Sequence, residues 1–221
     1  MSIVSGPAIA DCIAEGDIDV EPYNSDNINP ASLDLRLGDE VSVYEDWVDC
    51  SAADHIARAQ GDHRRPHLQC KAYDGHGLVG GGYMSFVQDI KKPACTRTFT
   101  MDKEIGWVLK PGILYLMHTL ERVRTERFVP VLDGKSSIGR LGITIHLTAG
   151  FGDPGFDGQY TLEVTAVHPV RVYPGMRFCQ MRFHHLDGPL LSYQKTGHYQ
   201  HDQAQGPVAS LAHQQFNKRS S

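Results

Sequence analysis

Three short segments of this chain carry side chains whose types and spacing suit chemistry on a phosphorylated small molecule. The first is Gly134-Lys135-Ser136-Ser137-Ile138-Gly139-Arg140. Two cations and two adjacent hydroxyls stand among glycines there, so a turn can aim N–H groups, hydroxyls and positive charge at phosphate oxygens. An ordinary polar turn fits the same residues. The Gly-Lys-Ser triplet is not a P-loop, because that motif needs a Gly where Val129 stands and a strand followed by a long helix. The second segment runs from Thr148-Ala149-Gly150-Phe151-Gly152 into Asp153-Pro154-Gly155-Phe156. Its small residues let a ligand come close to the backbone. Asp153 is either a ligand contact or simply the residue that opens a tight turn. The third segment is Thr161-Leu162-Glu163-Val164-Thr165, where Leu162 and Val164 face one way and Thr161, Glu163 and Thr165 the other. A Glu among β-branched neighbours is unfavourable by propensity. It faces solvent or, in a pocket, serves as acid and base.

These segments need strands to hold them. From 105 to 186 the pattern is all-β, with strand-like runs at 113–120, 141–148, 160–167 and 178–183. Three Pro-Gly pairs, at Pro111, Pro154 and Pro174, punctuate it. Pro presets φ in a turn, and Gly accepts the positive φ that a type II turn requires next. Upstream, Ile9, Cys12 and Ile13 at helical spacing before Gly16 predict a short helix over 7–15. Residues 32–37 alternate with Leu33, Leu35 and Leu37 on one face. A second short helix fits 52–60. Over 61–85 the pattern dissolves into a long excursion, in which His63, His67, Cys70 and His76 match no zinc spacing. The tail from 188 is rich in Gln, His, Gly and Ser and buries little by itself. The expected organisation is one domain over 1–190 with an insertion around 55–85, then a flexible tail or lid over 191–221.

Composition narrows the class. With 221 residues, 41% apolar and 21% charged, the chain can bury a core without staples. A net charge of −5 supplies no bulk field for nucleic acid or an anionic membrane, so a polyanionic ligand needs locally clustered cations. The five cysteines are widely spaced with no C-x-x-C pair, which argues against a disulfide framework or a thiolate zinc site. No secretory signal and no stretch near the ~20 apolar residues of a membrane span is present, so the expected location is cytoplasmic.

The motifs PASLDLRLG at 30–38, DGKSSIGRLG at 133–142, H-x-T-A-G-F at 146–151, DPGFDG at 153–158, TLEV at 161–164 and PGMRFCQMRF at 174–183 resemble, in that order, the dCTP deaminase branch of the dUTPase superfamily. The resemblance is dense over 105–186 and returns weakly at 198–210. It implies an all-β, distorted jelly-roll, dUTPase-like fold assembled as a homotrimer with sites between subunits. It also implies roles. Glu163 would activate water for attack at cytosine C4 and pass the proton to departing ammonia. Ser136, Ser137 and Arg140 would hold the triphosphate, with Lys135 where many members have Arg. Thr148 and Ala149 would contact the base and Asp153 the sugar side. From the tail, Tyr193, His198, Tyr199 and Gln203 would reach the substrate, although family tails carry Lys-Tyr where this one has His198-Tyr199. Magnesium is expected only on the triphosphate, no zinc is expected, and dTTP is a possible feedback inhibitor.

The first expectation is therefore dCTP deamination to dUTP and ammonia. The alternative is a bifunctional enzyme that goes on to dUMP and pyrophosphate, to which Gly150, Phe151 and Phe156 are closer. A plain dUTPase fits less well because of Glu163. A silent nucleotide-binding module fits less well because Ser136, Arg140, Asp153 and Glu163 occur together.

Overall fold

The computed structural model describes residues 2–44, 71–73, 78–80, 90–94, 96–195, 197, 199 and 206–216. The expected helix over 52–60, the His63–His67–Cys70–His76 group, His198 and Gln203 lie outside the described residues. The chain divides into two units, Met1–Val41 with Phe99–Val208 and Ser42–Thr98 with Ala209–Ser221.

The first unit opens on helix α1 (Gly6–Glu15), which buries Ile9 and Cys12 and stops at Gly16, whose φ of 82° is left-handed. This is the helix that the apolar spacing predicts. Strands β1 (Ile18–Glu21), β2 (Ile28–Asn29) and β3 (Ser32–Arg36) follow, then β4 (Glu40–Tyr44), which runs from the first unit into the second. There, β5 (Lys71–Tyr73) and β6 (Leu78–Gly80) pair as a short hairpin inside the stretch that shows no pattern in sequence. After β7 (Thr96–Thr100), the first unit continues with β8 (Trp107–Leu109), β9 (Tyr115–Thr125) and β10 (Phe128–Gly134). A single helical turn, α2 (Ser136–Gly139), leads to β11 (Ile143–Thr144), β12 (Asp157–Ala166), β13 (Val170–Val172) and β14 (Arg177–His185).

Two sheets dominate this unit. In one, β11, β12 and β9 lie side by side with β1 on the far half of β9; in the other the order is β10-β14-β3-β2. The described fold is mainly β, as expected. Its core holds Leu33, Leu35 and Leu37 with Trp107, Tyr115, Phe128, Phe178 and Phe183, all fully buried. Trp107 meets Tyr115 edge-on at 6.4 Å, and Phe128 meets Phe183 in the same way at 6.4 Å. All three Pro-Gly turns place glycine at positive φ, Gly112 at 77°, Gly155 at 88° and Gly175 at 80°.

Three elements depart from the sequence reading. The run at 141–148 forms strand only at Ile143 and Thr144, because the Leu147 N–H beyond them is bonded to a side chain instead of a ladder partner. The run at 113–120 starts later and extends to Thr125, because buried Glu121 accepts from the Arg36 backbone N–H at 2.7 Å and its Nε at 2.6 Å. Strand β10 has no clean alternation, since Pro130 interrupts it. It lies at the edge of its sheet, where a missing N–H costs no ladder bond.

Candidate active site

Glu163 is placed by strand alternation. Leu162 and Val164 point into the core with no exposure, so Glu163 between them points out of it, opposite Leu116 on β9. Its Oε2 accepts the Leu147 N–H at 2.9 Å. That bond draws residues 146–149, including exposed Thr148 and Ala149, to the carboxylate and fixes its orientation. On the same face, the Thr165 and Thr144 hydroxyls meet at 2.6 Å. A side chain at Gly150 would stand 2.5 Å from the Leu132 carbonyl, so glycine is what lets this segment lie against β10.

The Lys135–Arg140 segment leaves the end of β10 and turns once as α2, with Ile138 buried as its anchor and Ser136, Ser137 and Arg140 exposed. The chain then passes into β11, where Thr144 and Ile143 pair with Thr165 and Ala166 of β12. The exposed hydroxyls and Arg140 therefore sit in the segment leading to the strand that pairs with the end of the Glu163 strand. Lys135 is placed differently. Its Nζ lies 2.5 Å from Oδ1 of Asp34, which is 1% exposed and also accepts from Asn29 Nδ2 at 2.7 Å. The lysine charge is engaged inside the fold, and Arg140 is the exposed cation of the segment.

Asp153 is exposed at the Pro154-Gly155 turn, where its carbonyl accepts the Phe156 N–H at 3.2 Å. Phe156 meets Tyr160 edge-on at 4.8 Å and Tyr193 at 5.8 Å. The Tyr193 N–H donates to the Pro154 carbonyl at 2.8 Å, and the Tyr199 N–H donates to the Tyr193 hydroxyl at 3.3 Å. Burial pushes the Tyr160 phenol well above its ordinary range, and the charges of Asp153 and Tyr193 add to this, so the phenol stays neutral. Sequence reasoning names Tyr193 and Tyr199 but passes over Tyr160. The aromatic pair Phe156 and Tyr160, just after the Asp-Pro-Gly turn, is the signal that would have found it.

The acid/base candidate thus lies on β12, the turn carboxylate beside aromatics leads into β12, and the exposed hydroxyls with an arginine lead into β11, which pairs with β12. A family model described as dCTP deaminase-like matches residues 3–186. The chain belongs to the dCTP deaminase-like family.

Similar members span nearly the whole chain. A Cytophaga hutchinsonii protein named "dCTP deaminase, dUMP-forming" is 38% identical over 98% of this chain and 99% of its own length. Proteins of the same name from Leptospira biflexa and Clostridium acetobutylicum are each 37% identical, the first over 92% of both chains and the second over 97% of this chain and 98% of its own. The crystal structure of a 2'-deoxycytidine 5'-triphosphate deaminase from Agrobacterium tumefaciens shares the fold, with a TM-score of 0.51 and 21% identity over 82% of this chain. This chain spans 46% of that longer one. Among the described residues of this family member, no three His, Cys, Asp or Glu side chains converge as metal ligands, and no helix is long and apolar enough to cross a membrane.

Proposed function

We propose that this dCTP deaminase-like protein converts dCTP and two waters to ammonia, pyrophosphate and dUMP at one site. The observation that carries the reading is the Glu163 carboxylate held by the Leu147 N–H at 2.9 Å, which joins a proton acceptor to the segment suited to the base. With Oε2 so engaged, Oε1 holds a water against C4 of the cytosine. Glu163 takes the water's proton as the C–O bond forms, then delivers it to the amino group, which leaves as ammonia. Thr148 and Ala149 flank the base. Ser136, Ser137 and Arg140 hold the triphosphate, since charge-assisted contacts to phosphate are the strong ones.

The second step takes a different water, directed at the α-phosphorus, and expels pyrophosphate. Asp153 is the carboxylate for it, with Phe156 beneath the sugar. The sequence alone places deamination to dUTP first. The dUMP-forming reading is preferred here because relatives 37–38% identical over at least 92% of this chain carry that name. Magnesium would enter with the substrate, neutralising the phosphates that Ser136, Ser137 and Arg140 hold. dTTP, which lacks the exocyclic amine, would compete for the same pocket as a feedback inhibitor. A homotrimer accounts for apolar side chains left exposed in the first unit, among them Leu147 at 57%, Phe151 at 68% and Val167 at 74%.

Product analysis tests the reading. With magnesium present, dCTP should yield ammonia, pyrophosphate and dUMP with little free dUTP. Accumulation of stoichiometric dUTP, with added dUTP left untouched, would reduce the activity to deamination.

A further inference from the structure

On the face of β12 that carries Glu163, Gln159 and Thr161 are both bonded to the C-terminal segment. Gln159 Oε1 accepts the Gly206 N–H at 2.7 Å, and Thr161 Oγ1 accepts the Val208 N–H at 3.1 Å. Residues 206–208 therefore run along β12 in the strand's own direction, held by side chains instead of a backbone ladder. The β12–β9 register shifts between Gln159 and Thr161, which makes this possible. The Tyr160 N–H is diverted to Thr119 Oγ1 at 2.9 Å, and Gln159 Nε2 is tied to the Leu120 carbonyl at 2.9 Å, leaving its Oε1 for the tail. Irregularities of this kind re-aim side chains beside functional sites. Gly206 is matched to the seat. Its φ is 86°, a left-handed conformation that strains any residue bearing a Cβ, and the Glu40 carboxylate stands close enough that a side chain there would have to displace it.

We propose that Gln159 and Thr161 are positioning residues for the reaction on dCTP, seating residues 206–208 on β12 next to Glu163 so that the tail completes the site. The proposal rests on the function proposed above. The C-terminal part of the chain is pinned at two places that matter for that reaction. Tyr193 is fastened to Pro154 at the Asp153 turn, and residues 206–208 are fastened to the Glu163 strand. Residues 206–208 held there bring the backbone of the tail to the strand two residues from Glu163.

Two readouts on the full chain test this, amide hydrogen exchange at Gly206 and Val208 and steady-state kinetics on dCTP. In Gln159→Leu/Thr161→Val, both amides should lose protection and kcat/KM should fall on the order of tenfold, the scale of two lost hydrogen bonds. The thermal midpoint should stay close to that of the parent. Thr161→Ser, which keeps the acceptor, should retain protection and kinetics. Gly206→Ala tests the same seat from the tail side and should reproduce the loss without altering β12. Retained protection in either disrupting variant, or lost protection with parental kinetics, overturns the proposal. Parent protein inert toward dCTP instead overturns the function proposed above, and with it the catalytic use of the seat.

Discussion

At the scale of single residues, the two cations of the Lys135–Arg140 segment have opposite tasks. Lys135 neutralises Asp34, a carboxylate 1% exposed, whereas Arg140 is exposed. Lys135→Met leaves that carboxylate buried with Asn29 at 2.7 Å and the Arg177 guanidinium at 3.9 Å as its remaining partners, and should cost about 1–3 kcal/mol of stability, measured by urea unfolding. Lys135→Arg should recover most of it. Arg140→Ala should leave the unfolding midpoint unchanged within about 0.5 kcal/mol and raise the KM for dCTP. Equal destabilisation by Lys135→Met and Arg140→Ala would contradict this division. Residue types made the cations, hydroxyls, Asp153 and Glu163 legible in the sequence. Their partners were not legible. The donor to Glu163 is the backbone of Leu147, which any residue there could supply, and the Asp34 side of the lysine pair lies in a motif far away along the chain.

At the scale of elements, alternation and turn chemistry carried most of the reading. Helix α1, strands β3, β12 and β14 and all three Pro-Gly turns follow from apolar spacing and from the conformations open to Pro and Gly. What the sequence hid were two segments where other bonds replace the ladder, residues 145–150 and the irregularity at Tyr160, and the Pro130-bearing β10, which pairs with β14 without a clean alternation. The irregularity at Tyr160 depends on Thr119, fully buried, whose hydroxyl donates to the Glu121 carbonyl at 2.8 Å and accepts the Tyr160 N–H. Thr119→Val keeps the shape and removes both bonds. It should lower stability by about 1–3 kcal/mol, because a part-buried N–H and the Glu121 carbonyl both lose their partner. Amide exchange at Tyr160 should accelerate; an unchanged Tyr160 amide would show that the hydroxyl does not hold the bulge.

At the scale of the whole molecule, acid should weaken the fold through His118. This ring is buried on β9. Its Nδ1–H donates to the Thr119 carbonyl at 2.9 Å, and its Nε2 accepts the Glu40 N–H at 3.3 Å, an arrangement that fits only the neutral ring. Burial holds its pKa below the ordinary 6.5, outweighing the Thr119 carbonyl, Glu40, Asp39 and Gln159, which act the other way. The unfolded chain therefore takes up a proton below about pH 6.5 that the folded chain refuses. Stability contributed by the neutral ring is full above that pH and declines as pH falls toward the folded-state pKa. Urea unfolding at pH 7.5 and 5.5 should show this decline in the parent and a smaller one in His118→Asn; equal slopes would remove His118 as the cause. In the proposed reaction one pocket performs two hydrolyses with separate carboxylates, Glu163 for the base and Asp153 for the phosphate. The most direct test of this claim is Glu163→Gln, assayed for ammonia from dCTP and for pyrophosphate from dUTP. Ammonia release should fall about 10²–10⁴-fold, the worth of a positioned proton acceptor, while dUTP cleavage persists at near-parental rate. Near-normal ammonia release, or loss of both activities in a protein that still folds and binds dUTP, would contradict the claim.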